Sequence, residues 1–351
     1  MATAKGAAKQ AETQVATWGI VMTVREPAQL ILANLGWHLG TGASEIHVYF
    51  DDPEDLAIPM TAPLAEVRAI RCDDAHWGEI APSGKRPPTH RRRQGLNANH
   101  ALARCEVDWL IHLDADEFLV QSRPLAVEMA AVRDLKCELY FPVAERVFRA
   151  DTPAQTIFDG AFRLCTRTML RRGDGLDNEE VIFGDQRRFL DYGMLGHSAG
   201  KCAVPWNAGF RLGIHWAHLG KTRTRAERFR SASTRLLHFD GLTRLHWLAK
   251  LRRYAMYDPA EFNTAAHRQA QVDLAREMAD VPGGYARIHA ELREASTEQL
   301  DRLRAFGLLD DTPFDPAPVL RDVLGYVPDL SAEAFDEALR EVMPERTEGL
   351  S

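Results

Sequence analysis

The sequence has no apolar run long enough to cross a membrane, and its first residues, MATAKGAAKQAETQ, lack the apolar core of a secretory signal. Its five cysteines are scattered and form no CxxC pair, which predicts buried thiols in a reducing compartment rather than a disulfide framework. The formal net charge of −7 disfavours wholesale binding to nucleic acid. These absences predict a soluble, cytoplasmic protein without a transmembrane segment, which would reach a membrane only by peripheral contact.

Two motifs that suggest a known kind of site are incomplete, and no internal repeat is present. The stretch HLGKT, residues 218–222, would need a glycine at position 215 to form a P-loop, but His215 is there. Cys202, His215 and His218 do not have the spacing of a structural zinc site. A P-loop is therefore excluded, and zinc is disfavoured.

What the chain does have is a regular alternation of strand and helix patterns in its first half. Buried-strand patterns cover residues 17–24, 44–52, 64–72 and 107–114, and helical patterns cover 26–42 and 89–105, with Thr89 as a candidate N-cap. Such alternation predicts an α/β fold whose mostly parallel sheet is flanked by helices. We expect a disordered N-terminus over 1–15, the α/β domain over 16–220, and a mainly helical C-terminal region over 221–351.

Polar residues stand at the carboxyl ends of three of these strands. They are Thr23 to Glu26, Asp51–Asp52, and the carboxylates of WLIHLDADEFLV, residues 109–120. Ligands of parallel sheets bind at this edge, so the three clusters are expected to converge on one site.

Asp114 and Asp116 are two positions apart at a strand end, so their side chains point the same way. Two carboxylates in this arrangement can share Mg²⁺ or Mn²⁺, which prefer oxygen ligands and keep positions open for phosphate and water. The alternative is a solvated acidic turn, because aspartate is common in turns.

The order of these motifs resembles a known family. VMTVREPAQLILANLGWHLGTGASEIHVYFDDPED, then WLIHLDADEFL, then GHSAGKCAVPWNAGFRLGIHWAH, look like the family-2-like glycosyltransferases with a GT-A fold and an L-D-x-D-E-F motif. The resemblance covers about residues 17–220. It implies a hexosyltransferase-like enzyme that uses a nucleoside-diphosphate sugar, with Mn²⁺ or Mg²⁺ neutralising the leaving diphosphate.

The resemblance also implies roles for particular residues. The metal would be held by Asp114, Asp116 and His215. The nucleotide sugar would be bound by Thr23, Glu26, Asp51, Gln94, Asn97 and Lys201. Several also have a structural interpretation: strand-end capping for Thr23 and Asp51, a first-turn helix carboxylate for Glu26, and a packed histidine beside Trp216 for His215. Lys201 could be a solvent-exposed lysine, and Gln94 and Asn97 could lie on a solvated helix face. Arg91 and Arg92 fit a solvated helix face better, and so does the basic stretch 221–253.

An inverting transferase needs a carboxylate that takes the proton of the acceptor hydroxyl. Asp185 in FGDQRRF is the first candidate and Glu145 the second, although both have arginine neighbours that suit a simple ion pair. The acceptor would be a glycan, a glycolipid or a protein hydroxyl. Two other functions stay open: a metal-dependent phosphohydrolase or nucleotidyltransferase, and a non-catalytic protein that binds sugar nucleotides.

Overall fold

The structure is a computed structural model that describes residues 15–168, 178–222, 224–255 and 265–350. Within these residues the chain begins with the buried strand predicted for 17–24. The strands in chain order are β1 (Trp18–Val24), β2 (Glu45–Phe50), β3 (Val67–Arg71), β4 (Trp109–His112), β5 (Glu117–Gln121), β6 (Glu138–Phe141), β7 (Val143–Arg149), β8 (Ala161–Leu164), β9 (Lys201–Pro205), β10 (Phe210–Leu212), β11 (Ala217–Leu219), β12 (Arg228–Arg230), β13 (Thr234–His238), β14 (Glu294–Ala295) and β15 (Leu309–Asp310).

The helices alternate with strands at first and then dominate the C-terminal part. They are α1 (Ala28–Gly40), α2 (Asp74–Ile80), α3 (His90–Leu102), α4 (Leu125–Val132), α5 (Asn178–Phe183), α6 (Arg244–Ala255), α7 (Ala266–Glu277), α8 (Gly284–Arg293), α9 (Thr297–Ala305), α10 (Ala317–Leu324), α11 (Ala332–Val342) and α12 (Pro344–Thr347). Thr89 stands at the N-cap position of α3 as predicted, but its side chain makes no capping hydrogen bond. Among the described residues, every helix is too short or too polar to span a bilayer.

The larger sheet has the strand order β12-β6-β9-β4-β1-β2-β3. Neighbouring strands are parallel except at β9, which runs antiparallel to both β4 and β6. Alternate residues of β1 face opposite sides: Ile20 packs in the hydrophobic cluster with α1, and Val21 packs in the cluster with α3. The prediction of an α/β fold with a mostly parallel sheet flanked by helices is confirmed.

A second sheet joins the middle of the chain to its C-terminal part. Its strand order is β15-β8-β7-β13-β5, with β14 added beside β7. Strand β13 lies between β5, to which it is antiparallel, and β7, to which it is parallel. The interpretation of residues 222–243 as helical was wrong, because β12 and β13 lie there, and the helical pattern begins only at Arg244.

The C-terminal helices pack directly on the α/β part. Helix α10 crosses α1 at Gly36, where an added Cβ would lie 2.6 Å from Cδ2 of Leu320. Leu320, Phe335 and Leu339 are fully buried in the same hydrophobic cluster as Leu30. A close helix–helix approach at a glycine therefore attaches this region to the first helix of the chain.

Candidate active site

A cleft of about 340 Å³ opens at the edge of the large sheet where β1, β2 and β4 end. The three polar clusters that follow these strands in the sequence meet there. Helices α3, α6 and α7 supply the other walls. The residues of the predicted site that line the cleft are Thr23, Glu26, Asp51, Gln94, Asp114, Asp116 and His215.

Three other predicted residues lie elsewhere. Asn97 is fully buried behind the cleft, where its amide donates a hydrogen bond to Oγ1 of Thr23 at 3.0 Å. Lys201 is also fully buried. Asp185 is exposed on the short helical turn 184–189 and is not part of the cleft lining. It stays a sequence-based prediction that this arrangement does not support.

Asp114 is held by two donors. The Lys201 ammonium lies 2.8 Å from Oδ2 of Asp114 and 3.0 Å from Oε2 of Glu117, and the Gln94 amide donates to Oδ1 of Asp114. Although desolvation opposes it, the Lys201 charge keeps the pKa of Asp114 well below its usual range. Lys201 therefore neutralises two carboxylates of the DADEF segment, and its predicted contact with a phosphate does not fit its burial.

Asp116 belongs to a second cluster, on the other side of the segment. The Lys250 ammonium forms an ion pair with Oδ2 of Asp116 and lies 3.4 Å from Oδ1 of Asp240. Nε2 of His238 lies 3.7 Å from the same Oδ2 of Asp116. Ligand atoms of Asp116, His238 and Asp240 all lie within 4.8 Å of one another, so this set has the spacing to hold a cation.

His238 supports that interpretation. Its side chain is buried and its Nε2 faces Asp116, while its Nδ1 lies 4.0 Å from Oε2 of Glu145. Two carboxylates and an imidazole are a donor set that Mn²⁺ accepts readily. The residues fit a divalent cation, provided that Lys250 can leave.

His215, the histidine predicted as metal ligand, lies beside this cluster. Its ring centroid is 4.3 Å from that of His197, which in turn is 4.7 Å from that of His238. Nδ1 of His215 lies 3.0 Å from the carbonyl oxygen of Gly200. Burial lowers the pKa of His197 to about 3 and that of His215 well below its ordinary value. His197 contacts both of the other rings, and its Nε2 lies 3.2 Å from Oε1 of Glu117, whereas His238 is the ring that faces Asp116.

The loop that carries His197 is fixed by Glu145. Its carboxylate accepts hydrogen bonds from the backbone N–H groups of Leu195 at 2.8 Å and Gly196 at 2.6 Å. Gly196 leaves no space for a side chain, since a Cβ would lie 2.7 Å from Cε1 of His238 and 2.8 Å from Oε2 of Glu145. Glu145, the second candidate for the base, is fully buried and paired with Arg163 at 2.8 Å. It is a positioning residue in this arrangement.

The opposite end of the cleft contains Asp51. Nη2 of Arg93 donates a hydrogen bond to Oδ2 of Asp51 at 3.0 Å, Nε of Arg93 lies 2.8 Å from Oδ1, and Nη2 of Arg86 lies 2.7 Å from Oδ2. This ion pair is buried on the Arg93 side and fixes the direction of Asp51. Thr23, tied to Asn97, lies between Asp51 and the acidic segment.

The C-terminal part of the chain supplies a basic wall. Helix α6 points His246, Lys250 and Arg253 toward the site, at i, i+4 and i+7 spacing, and Nε2 of His246 lies 3.3 Å from Oε2 of Glu26. Arg268 from α7 and Arg346 from α12 also line the cleft. The carboxylates on one side of the cleft could hold a metal cation. The basic side chains on the other side suit an anionic ligand of that metal.

Sequence reasoning missed His197, His238, Asp240 and Lys250. The signal was present for Lys250, because RLHWLAKLRRY has polar residues at i, i+4 and i+7 beside an apolar face. For His238 and Asp240 the segment TRLLHFD was assigned to a helix, which removed them from any strand end. His197 lies in a loop whose position is set by Glu145, fifty-odd residues away in the chain.

No protein-family model matches the chain, and no curated protein matches it. Among solved structures, the chain is similar to GalNAc-T7 with UDP, GalNAc and Mn²⁺, at 12% identity, 84% coverage of this chain, 55% of that chain and a TM-score of 0.34. It is similar to S. aureus TarS 1-349 at 11% identity, 95% and 92% coverage and a TM-score of 0.30. It is similar to HddC from Yersinia pseudotuberculosis at 8% identity, 63% and 93% coverage and a TM-score of 0.32.

Proposed function

We propose that the chain is a GT-A glycosyltransferase that moves a sugar from a nucleoside-diphosphate sugar to a hydroxyl acceptor. One observation carries this proposal: the cleft at the carboxyl edge of the parallel sheet joins a cation-binding set, Asp116 with His238 and Asp240, to a wall of lysine and arginine side chains. A diphosphate is a ligand that suits both, since a divalent cation would neutralise part of its charge and the basic groups would take the rest.

We infer that Asp116 and His238, with Asp240 beside them, would hold Mn²⁺ or Mg²⁺. When bound, the metal acts as a Lewis acid that stabilises the negative charge of the departing diphosphate. This assignment differs from the predicted set in two respects. His238 replaces His215, because it is the ring that faces Asp116 at 3.7 Å. Asp114 is an orienting residue, because Lys201 and Gln94 already bind its oxygens.

The nucleoside would lie toward β2. Asp51 is held rigidly by Arg93 and Arg86, and Thr23 and Gln94 lie between it and the cation-binding set. A fixed carboxylate at the strand end is suited to accept hydrogen bonds from ribose hydroxyls or from a base N–H group.

For the base of an inverting reaction, we propose Asp191 in place of Asp185. Asp191 lines the cleft, and the backbone and hydroxyl groups of Ser198 donate to its Oδ2. It would take the proton of the acceptor hydroxyl as that oxygen attacks the anomeric carbon, while the bond from that carbon to the diphosphate breaks. The acceptor, a glycan, a glycolipid or a protein hydroxyl, would enter from this side.

The test is calorimetry with UDP-, GDP-, CMP- and dTDP-sugars, with Mn²⁺ and again with EDTA, on the wild-type chain and on Asp116→Asn. Metal-dependent binding of one nucleotide sugar, lost in Asp116→Asn, is expected. Asp185→Asn is the matched control, since it removes an aspartate charge outside the cleft and should bind like the wild type. Absence of binding by the folded wild type would overturn the transferase proposal.

Turnover separates the remaining alternatives. A phosphohydrolase or nucleotidyltransferase would consume nucleotide at full rate without a sugar acceptor. A non-catalytic binding protein would bind the nucleotide sugar and release it unchanged with every acceptor supplied. The proposed transferase should show only slow hydrolysis until an acceptor is added.

A further inference from the structure

The cation-binding set of Asp116, His238 and Asp240 is already paired with a cationic side chain, that of Lys250. The Lys250 side chain reaches from α6 across the cleft, pairs with Asp116 and lies 3.4 Å from Asp240. These are the two carboxylates that, together with His238, would bind a metal. One ammonium group and one metal therefore compete for the same oxygens.

Burial makes this competition strong. The relative exposure of Asp116 is 6%, that of Asp240 is 3%, and that of the Lys250 side chain is 17%. Charges in such surroundings interact more strongly than at the surface, and two cations a few ångströms apart repel each other. A metal could therefore bind Asp116 and Asp240 together only after the ion pair between Lys250 and Asp116 has broken.

The two carboxylates that contact Lys250 differ in their other charged partners. Arg268 lies 3.4 Å from Asp240, and Arg293 lies 3.9 Å from the same oxygen, so Asp240 keeps arginine partners without Lys250. Asp116, in contrast, has Lys250 as its lysine or arginine partner among the ion pairs of the described residues, with the His238 ring 3.7 Å away. Loss of Lys250 from Asp116 thus leaves a carboxylate that a metal fits, and a free ammonium facing the cleft.

We propose that Lys250 is the counter-ion of the metal-free site, that a divalent metal displaces it from Asp116, and that the displaced ammonium then binds the diphosphate of the donor. This proposal rests on the proposed function. It makes metal and donor binding mutually dependent: the donor accepts the ammonium that the metal expels, so each ligand tightens the other. In the absence of donor, Lys250 keeps metal affinity low.

The experiment measures Mn²⁺ binding by electron paramagnetic resonance in the absence of nucleotide. Lys250→Gln, which keeps a hydrogen-bond donor but no charge, is expected to bind Mn²⁺ about tenfold more tightly than the wild type or better. Arg346→Gln is the matched control. It removes one positive charge from the wall of the same cleft, but Arg346 contacts Glu345 and Met343 rather than the carboxylates of the site.

Unchanged Mn²⁺ affinity in Lys250→Gln, or an equal increase in Arg346→Gln, would overturn the competition. If Lys250→Gln does not fold, labelling of the wild type decides: the rate at which an amine-reactive reagent modifies Lys250, followed by mass spectrometry, should rise several-fold with Mn²⁺. A rate that Mn²⁺ leaves unchanged contradicts the proposal.

Nucleotide-sugar calorimetry on the same proteins distinguishes failure of the Lys250 proposal from failure of the proposed transferase function. Intact nucleotide-sugar binding with unchanged Mn²⁺ affinity in Lys250→Gln overturns the competition and keeps the transferase. Tightened Mn²⁺ binding in Lys250→Gln, with no nucleotide-sugar binding by the wild type, supports the competition between Lys250 and metal, and overturns the transferase together with the transfer of Lys250 to a diphosphate.

Discussion

The ammonium of Lys201 lies 2.8 Å from Asp114 and 3.0 Å from Glu117, and the lysine side chain is completely buried between them. Lys201 begins β9, the antiparallel strand of the large sheet, and the two carboxylates follow β4, its neighbour. The acidic segment that draws attention in the sequence is therefore held in place from within the sheet, by a cation that solvent does not reach.

The first prediction concerns this ion pair. Lys201→Met should lower the free energy of unfolding by about 3–5 kcal/mol, because it leaves the buried Glu117 and the partly buried Asp114 without their cation. Urea denaturation followed by circular dichroism measures it. Lys221→Met, at an exposed lysine, should change the value by less than about 0.5 kcal/mol. A loss at Lys201 no greater than at Lys221 would show that the pair contributes nothing to stability.

The second prediction concerns the loop at Gly196. Gly196→Ala should weaken Mn²⁺ binding about tenfold or more, because its Cβ would displace His238 and Glu145, with an overpacking cost of about 1–3 kcal/mol. Gly78→Ala is the control, since nothing lies within 4 Å of a Cβ there. Electron paramagnetic resonance with Mn²⁺ checks both variants. Equal affinities in the two would remove His238 from the proposed metal ligands.

The third prediction separates binding from chemistry. Asp191→Asn should retain nucleotide-sugar affinity but lose about 10²- to 10⁴-fold in transfer rate, as expected when a general base is removed. Asp185→Asn should keep both. Calorimetry gives the affinity, and product formation under single-turnover conditions gives the rate. A slow Asp185→Asn beside a fully active Asp191→Asn would restore Asp185 as the base.

The fourth prediction concerns pH and stability, away from the site. Burial lowers the pKa of His38 from 6.5 to about 4. Because the folded state favours the neutral ring, this stabilisation is complete above about pH 6.5 and is lost as pH falls through 4. Between pH 7 and pH 4 it amounts to about 3 kcal/mol. His38→Gln should therefore lose correspondingly less stability over that range in urea denaturation. Parallel curves for wild type and variant would contradict the assignment.

The elements of the first half could be predicted because each has a clear local pattern. Buried runs such as Trp18–Val24 have no alternation, and the helical pattern after Pro27 ends at glycines. The edge at which Thr23, Asp51 and Asp114 meet follows from topology alone, since parallel strands end on the same side.

The rest of the site depends on contacts between distant parts of the chain. His238 reaches Asp116 only because β13 pairs with β5, and the register that places His238 opposite Glu117 is set by that pairing. Lys250 and Asp116 are 134 residues apart. Local periodicity contains no information on such pairs, and a short strand of five residues is easily taken for a helical turn.

The position of β13 has a consequence for how the protein is made. Strands β12 and β13 follow residue 220, yet β12 forms the end of one sheet and β13 the interior of the other. A nascent chain that has reached residue 220 would therefore present β5 and β7 without the strand that joins them, and β6 with an open edge. Unpaired edges of this kind recruit other chains. These edges should stay unpaired until β13 has left the ribosome.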